Sequence, residues 1–325
     1  MDQIRIFNDD INLKILILMR RIRDIETRIS TEYYKNEMRC PVHLSVGQEC
    51  PSAALSLLVK KNDYSVSTHR GHAHYLAKGG DLKKMIAEIY GKRSGCSLGK
   101  GGSMHLIDNS VGFMGTSAIV GNSIPTGTGL AHAAKLNKQN QISVIHIGDG
   151  ATEQGSFYES LNYASLHSLP ALYFCENNLY SVNSRLDVRQ PKGRNLGEIA
   201  NALGVENFHD SGKNFIETYQ TLKRAFNQCR DESKPVFIEF KTFRWLEHCG
   251  PNPDENLRGT DEFLYWKSID PLSMAEKSLS KKQIDIYEKA VDEIKIEINE
   301  AFSFAKESLP PSQDSAYTQI YSSEK

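Results

Sequence analysis

Cysteine is scarce in this chain: the six thiols in 325 residues stand at 40, 50, 96, 175, 229 and 249. No C-x-x-C pair occurs among them, which excludes a disulfide scaffold and a paired-thiol metal site and leaves reduced thiols as the expectation. Long hydrophobic runs are lacking too. A stretch such as residues 15–19 is far short of the roughly 20 apolar residues that span a bilayer, and the opening MDQIRIFNDD has neither a signal nor a transit layout. A cytoplasmic protein without a membrane segment is expected. Charge of one sign is missing as well, since 39 basic and 40 acidic residues leave a formal net charge of −1. Without a basic run there is no footprint for nucleic acid or an anionic membrane, so the expected partners are proteins and small molecules. No internal repeat and no linker divides the chain, which points to a single domain over residues 1–325, with a helical arm at 11–60 and a helical tail at 270–310.

What is present is organised around residues 142–183, ISVIHIGDGATEQGSFYESLNYASLHSLPALYFCENNLYSVN. Residues 142–147 have the length and β-branched content of a buried parallel strand, which stops at Gly148-Asp149-Gly150. Phe157, Leu161 and Ala164 recur at helical spacing, and Pro170 marks the return into a second apolar run at 171–175. This is a β-α-β unit. Its strands point the same way, so Asp149 and Asn177-Asn178 reach one rim of the sheet. A carboxylate and an amide oxygen there suit Mg²⁺ or Ca²⁺, and Mg²⁺ usually keeps waters and phosphate oxygens as further ligands. The alternative is a helix cap at Asp149 and a turn at Asn178. A third buried run at 236–240, introduced by Pro235, leads to Arg244, Trp245, Glu247, His248 and Cys249. Three strand ends should therefore converge in an α/β fold, a doubly wound, mostly parallel sheet flanked by helices.

The remaining segments read as follows. Ile11, Ile15, Leu18, Ile22, Ile25 and Ile29 alternate steps of four and three, giving a helix with an apolar stripe for the core or a subunit interface. A helix is expected over 51–59, with His43 on the loop before it, where a histidine is commonly structural. Arg70, in His69-Arg70-Gly71-His72, carries a planar fork of donors suited to phosphate or to a salt bridge. Glycine-rich residues 91–127 show no period and read as a long functional loop containing Met104-His105. The small residues of 121–134 suggest a helix that approaches another helix closely. Helices follow around 196–203 and 215–229, and Ile284, Tyr287, Val291, Ile294, Ile298 and Phe302 mark an amphipathic one ended by Pro310-Pro311. Residues 250–262, GPNPDENLRGTDE, read as a mobile surface loop.

Gly148-Asp149-Gly150, twenty-six further residues and then Asn177-Asn178 resemble the thiamine-diphosphate motif, which opens with GDG and closes with NN. His69-Arg70-Gly71-His72, Gly101-Gly102-Ser103-Met104-His105, Ile119-Val120-Gly121 and residues 244–249 narrow the resemblance. Together they look like the α subunit of a two-chain 2-oxoacid dehydrogenase E1 component, of the pyruvate and acetoin dehydrogenase group, over about residues 13–310. The resemblance implies the diphosphate-binding half of a thiamine-diphosphate fold, with thiamine diphosphate and Mg²⁺ as cofactors. Asp149, Asn178 and the Tyr180 carbonyl would hold the metal. Gly150 and Ala151 would lie along the cofactor, Ala118 and Val120 against its aminopyrimidine ring, and Arg70 on the diphosphate. His69 stands where the family has tyrosine.

His43, in an H-L-x-x-G-Q-E setting, would face the substrate. His248, in the loop over the active site, would contact the cofactor and steer proton or acyl transfer, and His105 is a further catalytic candidate. Cys249 replaces the serine that kinases modify in some relatives, so control by phosphorylation is not expected there. The glutamate that manages the aminopyrimidine proton belongs to the other half of the fold, so the resemblance implies a β-type subunit, an α2β2 heterotetramer and an α chain inactive alone. The implied substrate is a small 2-oxo acid or aldehyde, with a lipoyl acyltransferase E2 as a candidate acceptor. Two alternatives are a carboligase or ketol transferase in surface-sugar biosynthesis, suggested by the loop at 247–252, and a non-catalytic regulatory chain.

Overall fold

The computed structural model of the chain describes residues 10–138 and 140–318, so residues 1–9 of the opening decapeptide lie outside it. Asp10 caps the first helix, α1 (Ile11–Tyr33), its carboxylate accepting from the backbone of Asn12 at 2.9 Å and Leu13 at 3.3 Å. Next come α2 (Glu49–Ser56), β1 (Tyr64–Thr68), α3 (His72–Ala77), α4 (Leu82–Ile89), β2 (Phe113–Ser117), α5 (Ser123–Leu136) and β3 (Ser143–Gly148). The middle of the chain contributes α6 (Gly155–Leu166), β4 (Ala171–Asn177), β5 (Tyr180–Ser181), β6 (Ser184–Arg185), α7 (Leu186–Arg189), α8 (Leu196–Ala202) and β7 (Glu206–Asp210). The last elements are α9 (Phe215–Asp231), β8 (Val236–Lys241), α10 (Glu255–Arg258), α11 (Thr260–Ser268), α12 (Pro271–Lys277) and α13 (Lys281–Glu307).

Six strands form one parallel sheet in the order β2-β1-β3-β4-β8-β7, while β5 and β6 make a separate antiparallel ribbon. From β1 the chain goes to the strand on one side, and from β3 to the strand on the other. The crevice between the carboxyl ends of β1 and β3 is thus the topological switch point, where open α/β sheets bind ligands. Alternate residues of the buried strands serve different cores, as the pleat requires. Ile145, Ile147, Tyr173 and Phe237 pack under Phe157, Leu161 and Ala200, whereas Val144, Leu172, Phe174 and Ile238 pack with Leu55, Leu222 and Phe226. Helices therefore cover both faces. A third core joins α1, α4 and α13 through Ile15, Ile22, Ile25, Met85, Ile86, Ile89, Ile294, Ile298 and Phe302. Arg21 grips Glu297 bidentately at 2.7 and 2.8 Å across the α1–α13 contact. The stripe on α1 is thus largely covered within the chain.

Two expectations need correction. Residues 91–127 are not loop throughout, because β2 joins the sheet edge there; only Phe113 of that strand is fully buried, so no alternating pattern marks it. The small-residue helix α5 lies against both the sheet and α6. A Cβ on Gly127 would meet Ile145 and Val66 side chains at 2.5 and 2.7 Å, while Gly129 faces open space. Residues 250–262 are not a surface loop either. They contain α10 and the start of α11, and Asp254 is buried accepting from Arg244 at 2.8 Å and Arg258 at 2.9 Å. Polar composition alone cannot report that two arginines converge on one carboxylate.

Candidate active site

A cavity of about 190 Å³ opens at the switch point. The loop before α2, the loops after β1, β2, β3 and β4 and the segment after β8 bring His43, His69, Arg70, Ala118, Val120, Asp149, Gly150, Ala151, Asn178, Tyr180 and His248 to its wall. His105 is not among them. It follows the 3-10 turn Gly102–Met104, is exposed, and leaves Met104 to line the cavity instead. The cavity also exposes Arg244, expected at the end of the third run, and residues that the sequence did not single out, among them Gln48, His74 and Glu176. Glu176 could have been found beside Asn177, and Gln48 within the H-L-x-x-G-Q-E setting already noted for His43.

One end of the cavity is built for negative charge. Arg70 is buried and donates to the carbonyls of Leu44 at 2.7 Å and His248 at 3.0 Å, and among the described residues no carboxylate forms a salt bridge with it. Burial, reinforced by Arg244, lowers its pKa from 12.5 to about 9. The rings of His43, His69 and His248 stand edge to edge beside it, with centroids 4.7, 5.0 and 5.3 Å apart. Burial first, and Arg70 next, push His43 down to about 2, His69 to about 4 and His248 to about 3, so all three are neutral at pH 7.

The tautomer of His248 follows from its neighbours. Its Nδ1 faces Arg70 Nη2 at 3.4 Å and Arg244 Nη1 at 3.3 Å, and guanidinium groups only donate. Nδ1 therefore accepts and the proton rides on Nε2. Nitrogens of the three imidazoles lie within 4.8 Å of one another, a grouping that could attract a metal ion. Two guanidinium groups on His248 oppose a cation there, so the cluster is better suited to an anion.

The other end gathers oxygen ligands. Asp149, buried at the end of β3, accepts from Arg189 in a short charge-assisted bond, yet burial dominates and raises its pKa to about 6. Asn178 Oδ1 accepts from the Tyr180 backbone at 3.1 Å, and its Nδ2 donates to Gln48 Oε1 at 3.0 Å. Arg258 lies 4.0 Å over the Tyr180 ring and donates to the Asn178 carbonyl at 3.4 Å, which ties α10 to this turn. Leu179 and Val182 hold positive φ of 69° and 53°, conformations that non-glycine residues adopt only when their surroundings impose them.

These groups fit Mg²⁺ and a diphosphate. Asp149 and Asn178 supply hard oxygens, Arg70 is a guanidinium without an ion-pair partner, and Gly148 keeps its side open: a Cβ there would meet nothing within 4 Å and would only fill the cavity. His43 Nδ1 and Glu176 Oε1 are buried polar atoms without a hydrogen-bond partner among the described residues, as expected of groups that await a ligand.

Comparison with known proteins shows the family. The family model "Dehydrogenase E1 component" matches residues 18–313. The pyruvate dehydrogenase E1 component subunit alpha of Rickettsia bellii is 36% identical over 316 residues, covering 95% of this chain and 94% of that protein. The chloroplastic pyruvate dehydrogenase E1 component subunit alpha-3 of Arabidopsis thaliana is 30% identical over 315 residues, covering 93% of this chain and 72% of that one. Among solved structures, transketolase from Campylobacter jejuni matches with a TM-score of 0.55 at 18% identity, over 93% of this chain. That is a likeness of fold, and this chain spans about half the transketolase chain, 49%.

Proposed function

This chain belongs to the dehydrogenase E1 component family, as an alpha subunit, and from that premise we propose that its cavity anchors thiamine diphosphate through Mg²⁺ in an active site completed by a beta-type subunit. It is a thiamine-diphosphate-dependent 2-oxoacid dehydrogenase alpha subunit. We read the whole of 1–325 as one diphosphate-binding domain with its helical arm at 11–60 and tail at 270–310.

Asp149, Asn178 and the Tyr180 carbonyl would hold the metal, with Arg70 and His69 on the phosphate oxygens. The backbone of Gly150 and Ala151 would border the cofactor, and Ala118 and Val120 its ring. Thiamine diphosphate, when bound, supplies the nucleophilic carbon and the electron sink for decarboxylation of a 2-oxo acid. The chain's own residues bind, orient and hand over protons. His248, fixed as the Nε2–H tautomer, offers a neutral donor to oxygen that gains negative charge, a role that needs no imidazolium. His43, neutral and with a free Nδ1, can accept a hydrogen bond from a substrate or cofactor group.

The observation that carries this reading is that a carboxylate, an amide oxygen and a guanidinium without an ion-pair partner, from three separate segments, face one cavity at the switch point. The relatives' names make pyruvate the first substrate to assay, and the family makes an E1 beta subunit the first partner and a lipoyl acyltransferase E2 the first acceptor to try. An α2β2 assembly and a cytoplasmic setting, consistent with six free cysteines, belong to the same proposal. No helix among the described residues is long and apolar enough to cross a membrane.

The test is reconstitution with the cognate beta subunit. Mg²⁺-dependent binding of thiamine diphosphate by calorimetry, lost in Asp149→Ala, and decarboxylation by the complex but not by the alpha chain alone are expected. Undiminished cofactor affinity in the variant, or turnover by the isolated alpha chain, would overturn the assignment.

A further inference from the structure

Behind Asn178 a chain of polar side chains runs into the fold. Asn178 Nδ2 donates to Gln48 Oε1 at 3.0 Å, and Gln48 Nε2 reaches Glu176 Oε2 at 3.4 Å. The same oxygen meets His74 Nε2 at 3.2 Å, and His74 Nδ1 meets Ser67 Oγ at 2.6 Å. All five side chains are buried, with Gln48 only 1% exposed. An amide has one accepting end and one donating end, whereas a carboxylate oxygen accepts. Glu176 therefore obliges Gln48 to turn Nε2 inward and Oε1 outward. Gln48 in turn obliges Asn178 to turn Nδ2 toward it, so Oδ1 is left on the opposite side of the amide. One carboxylate fixes the sense of Gln48, and Gln48 together with the Tyr180 backbone N–H, which donates to Oδ1 at 3.1 Å, fixes that of Asn178.

The backbone that carries Gln48 is also fixed. Gly47 has φ +94°, and a Cβ there would overlap the Trp245 ring at 1.6 Å and the Phe243 carbonyl at 2.3 Å. Next to it, Glu49 forms a bidentate pair with Arg23. A rotated Asn178 would present its NH₂ group to a cation, which is repulsive.

We propose that Gln48, oriented by Glu176 and His74, is a positioning residue that holds Asn178 with its side-chain oxygen toward the divalent cation. This rests on the metal reading of the site. Residues that orient metal ligands typically change metal affinity about 10- to 100-fold when removed, while leaving the reacting atoms untouched.

The test uses the reconstituted alpha/beta complex with thiamine diphosphate and Mn²⁺ as the probe, free Mn²⁺ being read by electron paramagnetic resonance. Gln48→Leu should weaken Mn²⁺ binding at least about 10-fold, with a greater loss of turnover at limiting than at saturating Mn²⁺. Glu176→Gln keeps the shape and packing but lets the Gln48 amide turn over and withdraws its support from Asn178, so it should weaken Mn²⁺ binding in the same direction with an unchanged Tm of the metal-free complex. Parental Mn²⁺ affinity in Glu176→Gln and in a folded Gln48→Leu, while Asp149→Ala loses the ion, would overturn the proposal and leave the metal site standing. Failure of the parent complex itself to bind Mn²⁺ would overturn both.

Discussion

Replacing Arg70 by methionine should make the ligand-free protein more stable while weakening its hold on thiamine diphosphate. At pH 7 the guanidinium is charged in both the folded and the unfolded chain, so a pKa lowered from 12.5 to about 9 is a cost of folding present in full at that pH. At about 1.4 kcal/mol per tenfold change in proton affinity this is about 5 kcal/mol, an upper bound because water in the cavity screens the charge. The charge-assisted bonds to the Leu44 and His248 carbonyls return about 1.5 kcal/mol each and would be lost. The net expectation is a gain of about 2 kcal/mol, a rise in Tm of about 3 °C for a chain of 325 residues. Binding should move the other way, because losing a charge-assisted contact of about 1.5–3 kcal/mol weakens affinity about 10- to 100-fold. Scanning calorimetry of the cofactor-free alpha/beta complex and titration with thiamine diphosphate measure the two effects. A fall in Tm with unchanged affinity would mean that Arg70 is a structural strut and that the anion reading of this end of the cavity is wrong.

Three further outcomes are expected. His248→Ala should lower turnover at saturating cofactor by at least about 10²-fold while changing cofactor affinity less than Arg70→Met does; near-normal steady-state rates would reassign the proton handling to His43 or to the beta subunit. The folded-state values of His43, His69 and His248, about 2, 4 and 3 against an ordinary 6.5, mean that the unfolded chain takes up protons below about pH 6.5 that the folded chain refuses, so stability should be lost as pH falls through that value. Asp149, raised from 3.8 to about 6, opposes this below pH 6 but is one group against three; a Tm that rises between pH 7 and pH 5 would refute the assignment of neutral, buried imidazoles. Gly47→Ala should lower Tm sharply or prevent folding, because its Cβ has no room beside Trp245; a parental melting curve followed by tryptophan fluorescence would contradict the packing described.

The β-α-β unit was legible because its chemistry is local. Residues 142–147 and 171–175 are apolar runs broken by Gly148 and followed by Asn177, and the strands Ser143–Gly148 and Ala171–Asn177 lie within two residues of those bounds. Asp149 and Asn178 meet because parallel strands end on one side, a rule that needs no coordinates. β2 escaped because an edge strand of composition FMGTS buries little and shows no alternation. Arg189 escaped for another reason: it reaches Asp149 from a polar stretch forty positions away, and nothing near either residue announces the pair. His105 shows the converse, the last residue of a matching motif whose side chain the 3-10 turn leaves outside the cavity.

The contact between α1 and α13 imposes an order on biosynthesis. Ile15, Ile22 and Ile25 leave the ribosome early, but their cover includes Ile294, Ile298 and Phe302. At synthesis rates of about 5–20 residues per second, the interval between the end of α1 and the start of α13 is roughly 10 to 50 s. β1 waits for less time, since Ser65 pairs with Phe113 and Tyr64 with Ser143, both made long before α13. Until α13 emerges the nascent chain carries an incompletely covered apolar helix, a feature that recruits chaperones and seeds aggregation. Faster translation shortens this exposure, and a ribosome stalled before α13 prolongs it.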